Sequence, residues 1–194
     1  MRVIERPSGA ETDRLAGLIL AKVDEQIERL SAIIRQLPAG QSHWTPELPL
    51  SSFPQPWCLG RVLGHLLQCL AGFVAVLYAV HPEELESFLE LRERPVNHVC
   101  ERDEALARIE EYQRCIRTGF QLLRDDELAR VLPTVFVAEG EAVLTLLLGN
   151  LEHLINHKHE VFFYAKLLEI PLSSEDLYLF RTQLNKSRNG DTKQ

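Results

Sequence analysis

Apolar residues recur at three- and four-residue intervals along most of the chain. From about Glu11 to Gln36, Leu15, Leu18, Ile19, Ile27, Leu30, Ile33 and Ile34 are interleaved with charged residues. That spacing lines one face of a helix at 3.6 residues per turn and predicts a long amphipathic helix. Thr12 or Ser8 would cap its start, and Pro38 with Gly40 would end it. A second run, Leu59 to Val80, is apolar almost throughout and is stopped by His81-Pro82. Glu83 to Glu93 has room for a short helix that Pro95 breaks. Glu101 to Leu123 resumes helical spacing through Leu106, Ile109, Ile116, Phe120 and Leu123, with Asp103 as the expected cap. The last long helix is expected from near Glu139 or Gly140 to about Leu168, before Pro171. Ser173 and Asp176 then fit a capping pattern for a short helix through Phe180.

The connections are less regular. Leu37 to Trp57 is rich in Pro and Ser and lacks periodicity, and Trp44 and Trp57 are its natural anchors over one end of a core. Val131 to Glu141 has a short extended character around Pro133, readable as a strand-like arm or a loop. Four long helices with moderate connections predict an all-α, four-helix bundle with a short extra C-terminal helix. The expected organisation is a flexible N-terminus over 1–10, one helical domain over 11–184, and a disordered tail over 185–194.

Composition narrows the class. The 194 residues are 45% hydrophobic and 25% charged, enough for one sizeable core. A net charge of −7 without a basic stripe argues against nucleic acid as a partner. Cys58, Cys69, Cys100 and Cys115 are too widely spaced for a CxxC motif and read as reduced thiols. The charged N-terminal stretch does not look like a secretory signal, so a cytoplasmic location is expected. Val62 to Val80 approaches membrane-spanning length, but His65 and Gln68 interrupt it and the neighbouring amphipathic helices need a partner. A buried bundle helix is therefore expected, and no membrane.

Candidate chemistry concentrates in GNLEHLINHKHEVFFYAKLLEI, Gly149 to Ile170, where three histidines fall within seven residues. His153 and His157 are four apart, a rotation of roughly 40°, so both imidazoles leave the same helix face and suit one metal ion. His159 is rotated by roughly 200° from His157 and belongs to the other, wet face. An open metal site usually takes three protein ligands, and His65, a solitary imidazole in the apolar second run, is the candidate third. Leu146, Asn150, His153, His157, Glu160 and Tyr164 form one stripe. Along it Glu160 is a candidate base or ligand-orienting carboxylate, and Asn150 and Tyr164 are candidate pocket residues. Cys69, one turn after His65, is a second candidate for catalysis. His98 is assigned to the surface, and the role of Gln68 is left open.

PWCLGRVLGHLLQ, HLINHKHEVFFYAKLLEIP and the order of helices over Glu11 to Phe180 resemble the DinB/YfiT-like superfamily of bacterial metal-binding four-helix bundles. The resemblance carries a metal-ligand role to His65, His153 and His157. Cys58 stands where that family commonly has a serine, and Glu169 stands near a common glycine. What the resemblance implies is a divalent-metal-dependent enzyme, a transferase or isomerase using a low-molecular-weight thiol. Three imidazoles suit zinc or nickel and leave a position for water or substrate. The competing expectation is a non-catalytic metal-binding or stress-related bundle acting through protein interactions. A homodimer would be ordinary for either.

Overall fold

A computed structural model describes residues 15–47, 57–134 and 139–178 and is predominantly helical, as the periodicity predicts. The Ser8 or Thr12 cap, the N-terminal arm, Phe180 and the tail lie outside the described residues. In chain order the elements are α1 (Leu15–Gln36), α2 (Leu59–Val80), α3 (Leu89–Glu93), α4 (Arg102–Leu122), β1 (Val131–Leu132), β2 (Glu141–Ala142) and α5 (Val143–Leu167). The four long helices pack around a square: α2 lies against α4 and α5, and so does α1.

Helix α2 is apolar on nearly every face because it has neighbours on nearly every face, with α3 as a third. Leu63, Leu66, Leu67, Leu70, Phe73 and Leu77 are buried at the centre of the core. Among the described residues it is the one helix long and apolar enough to cross a membrane, and 61% of its most apolar stretch is buried inside the protein. The start of α1 is held from a distance: the backbone N–H groups of Leu15 and Ala16 donate to the Asp125 carboxylate, each at 3.0 Å. An anion there also complements the positive end of the helix dipole.

Three boundaries differ from the sequence reading, each for a local reason. Helix α5 begins at Val143, not near Glu139 or Gly140, because Glu141 and Ala142 pair antiparallel with Leu132 and Val131. The strand-like reading of Val131 to Glu141 thus holds at its two ends. Asp103 does not cap α4. Glu101 occupies the cap position, and the Asp103 carboxylate instead accepts from Arg102 at 2.8 Å. The short helix expected over Glu83 to Glu93 is a 3-10 turn, Glu86–Phe88, running into α3. Ser173 and Asp176 do form the expected reciprocal cap, on a 3-10 turn of three residues.

The two departures from the resembled pattern have structural outcomes. Cys58 makes no side-chain cap bond at the start of α2. Glu169 adopts the left-handed conformation (φ 61°) that a glycine would favour, and Ile170 N–H donates back to Ala165 O at 3.0 Å, closing α5.

The face of α5 opposite the histidine stripe carries a group the sequence did not announce. Lys158 is 1% exposed, and its Nζ donates to Gln26 Oε1 on α1 at 2.6 Å and to the Leu177 carbonyl at 2.8 Å. Burial pushes the amine down to about 8. His159, expected to be wet, is half-buried on this side and donates from Nδ1 to Ile155 O at 2.8 Å.

Candidate metal centre

Helices α2 and α5 bring His65, His153 and His157 together. One nitrogen from each lies within 4.8 Å of the other two. Ring centroids are 5.4 Å apart for His65 and His153, 4.6 Å for His65 and His157, and 4.7 Å for His153 and His157. The four-residue spacing on α5 sets the His153–His157 pair, and adjacency of α2 and α5 in the square brings His65 to it.

Which nitrogens are available follows from the outer partners. His65 Nδ1 faces the side-chain oxygen of Asn97, whose amide nitrogen donates to Gln68 Oε1 at 2.9 Å. That second bond turns the Asn97 oxygen toward the imidazole. An oxygen can only accept, so Nδ1 of His65 carries the proton and Nε2 keeps its lone pair. His157 repeats the arrangement, with Nδ1 2.7 Å from Glu160 Oε2. Such partners fix tautomer and ring orientation in metal-binding histidines. Burial, reinforced by the charges of His157 and His65, holds the His153 imidazole below its usual pKa and favours the neutral, ligand-competent form.

Asn97 reaches His65 because its segment lies unusually close to α2. Asn97 N–H donates to Gly64 O at 3.0 Å, and Cys100 N–H donates to Gly60 O at 2.9 Å. A Cβ on Gly64 would stand 1.9 Å from the His98 carbonyl oxygen, and one on Gly60 would stand 2.8 Å from Val99 Cγ1. The pair Gly60 and Gly64, one turn apart, forms the channel for this segment. Asn97 itself sits at φ 61°, a conformation asparagine tolerates better than most residues. No sequence motif pointed to it. The local traces were the two glycines ahead of His65 and an asparagine just after Pro95.

An aromatic wall closes one side. Trp57 lies edge-on to His65 with centroids 5.0 Å apart, and the Arg61 guanidinium is 5.5 Å from the Trp57 ring centre. Tyr164 donates to the Trp57 carbonyl at 2.7 Å and meets Trp44 edge-on at 5.9 Å. Trp44 therefore packs on the core as an anchor at the histidine end of the bundle, whereas the Trp57 ring, expected as the second anchor, is 41% exposed and does not cover the core. Burial pushes the Tyr164 hydroxyl up to about 12, so it remains a donor at neutral pH. Asn150 sits earlier on α5, ahead of the histidines, against Gly72.

The two catalytic candidates occupy unlike places. Glu160 touches His157 and acts on it as an orienting carboxylate. Cys69 is buried, and burial, with the Glu160 charge adding to it, pushes its thiol up to about 12. It does not join the three-nitrogen group. The histidines are each half-buried, so the centre lies at the edge of the core rather than in its middle.

A scan against models of known protein families found no match for the chain, and a search of curated proteins found none at a significant level.

Proposed function

We propose that this chain is a metal-binding helical protein of the DinB/YfiT-like type. In this reading His65, His153 and His157 hold zinc or nickel, and the site serves a thiol-dependent transfer or isomerisation in the cytoplasm. The observation that carries the reading is the donor set: three imidazoles converge, and two have Nδ1 committed to an acceptor, which leaves Nε2 for an ion. Neutral imidazoles suit a borderline divalent cation, and three of them leave a position open. A bound ion would supply a Lewis acid that favours the anionic form of a thiol or water beside it. The protein's own contributions are separate. Asn97 and Glu160 hold the Nδ1 protons in place, the Trp57 ring lies edge-on against His65, and Arg61 supplies a cation next to that ring.

A second reading has support from the same geometry. The ligands come from two different helices, so an ion here would also tie α2 to α5 without any chemistry. Metal content of the purified protein tests both readings against none, comparing the native chain with His65→Ala, His153→Ala and His157→Ala, and with His159→Ala as control. The expected result is that each of the three variants carries one equivalent of metal per chain less than the native chain and the control. No bound metal after reconstitution would overturn both readings. Thiol transfer to a panel of electrophiles by the loaded protein, absent from the three variants, then separates the enzyme from the structural site.

A further inference from the structure

We propose a second cation site, formed by His98, Cys100 and Glu104 where the Asn97 segment enters α4, and suited to a thiophilic borderline ion such as zinc. One ligand atom from each residue lies within 4.8 Å of the other two. The local chain explains the convergence. His98 and Cys100 are two apart in a non-helical segment strapped to α2, and Glu104 follows in the first turn of α4. His98 Nε2 and Glu104 Oε1 are 2.8 Å apart. The Cys100 thiol is fully buried behind them and makes a long contact of 3.5 Å to the Glu101 carbonyl.

Hydrogen bonding within the protein leaves this cluster incompletely satisfied. His98 Nδ1 is shut off from solvent and has no partner, a costly state for a ring nitrogen. The nearest competing cation is already engaged: Arg108 donates to Pro95 O at 2.6 Å and to the Tyr112 hydroxyl at 3.0 Å, and stands 3.9 Å from the Glu104 carboxylate. A thiolate and a carboxylate balance a divalent charge, and imidazole completes a set of zinc-type donors. On binding, the sulfur exchanges its proton for the ion and the proton leaves to solvent. Nothing is oxidised or reduced. An open groove of about 510 Å³, lined by His98 and Glu104 together with Arg94, Arg108 and Glu111, reaches the two outer ligands and leaves room for a fourth, while Cys100 lies buried behind it and does not line it.

Sulfur separates this site experimentally from the all-histidine centre. Cobalt(II) is added to the native chain and to a variant carrying His65→Ala, His153→Ala and His157→Ala together. Absorption is recorded for the thiolate-to-cobalt charge-transfer band that imidazole ligands cannot produce. The expected result is that band in both proteins, with one cobalt retained by the triple variant. The band should vanish in Cys100→Ser, and cobalt affinity should fall about tenfold or more in His98→Ala and Glu104→Gln. If Cys100→Ser loses helicity, the two partly exposed ligands decide the matter. Absence of the band, or its persistence at unchanged affinity in both His98→Ala and Glu104→Gln, would overturn the second site whatever happens at the first.

Discussion

His65 on α2 donates from Nδ1 to the side-chain oxygen of Asn97, thirty-two positions further along the chain and held at φ 61°. This contact sets the imidazole tautomer and leaves Nε2 unprotonated on a ring whose centre lies 5.4 Å from that of His153 and 4.6 Å from that of His157. Asn97→Gly removes the acceptor while permitting the same backbone conformation. Metal affinity should fall by about 10- to 100-fold with the helical content unchanged, as measured by competition with a chromogenic chelator. Unchanged affinity would mean that the ring is oriented by something else.

The two kinds of glycine in the long helices should respond oppositely to alanine. A Cβ on Gly64 would stand 1.9 Å from a backbone oxygen, so Gly64→Ala must displace the Asn97 segment and should cost about 1–3 kcal/mol in urea unfolding. Gly149, exposed on α5, has nothing within 4 Å of an added Cβ. Gly149→Ala should stabilise by about 0.5–1 kcal/mol through helix propensity alone.

Lys158→Met keeps the length of the buried side chain and removes its donors. Gln26 Oε1 and the Leu177 carbonyl then lose a partner. The expected loss is about 1–3 kcal/mol, accompanied by faster amide exchange over Leu172 to Leu177. Metal content should not change, because Lys158 faces away from the histidine stripe.

Cys115 predicts a pH dependence. Burial pushes its thiol from 9.0 up to about 12 in the folded protein. The folded state therefore keeps this proton to higher pH than the unfolded state does. The contribution to stability is complete below pH 9.0 and is lost as pH rises toward about 12. The stability gap between the native chain and Cys115→Ala should shrink over that interval in urea titrations at successive pH values. A constant gap would contradict the burial of an intact thiol.

The histidine triad was legible in the sequence because a four-residue spacing fixes two side chains on one helix face before any tertiary structure is known. His65 was legible as the solitary imidazole in an apolar run. Asn97 was not, since its role depends on how a segment after a proline folds back along α2. The cap of α4 was misread at Asp103 because Arg102, its immediate neighbour, takes the carboxylate. Helix α5 was started too early because pairing of Glu141 and Ala142 with β1 is a contact between distant residues. Lys158 illustrates the same limit: residue type places a lysine in solvent, and it takes Gln26, the Leu177 carbonyl and the Tyr178 ring, brought from distant parts of the chain, to make its burial tolerable.

The channel made by Gly60 and Gly64 has a bearing on how such a centre is inherited. Neither glycine has a side chain to offer an ion, yet each sets how near Asn97, Val99 and Cys100 come to α2. A lineage can therefore lose the orientation of His65 by gaining a single methyl group two turns or less away, with all three histidines still encoded. Whether a relative keeps the His65 ring in this orientation is therefore to be read from what stands at positions 60 and 64, as much as from the histidines it retains.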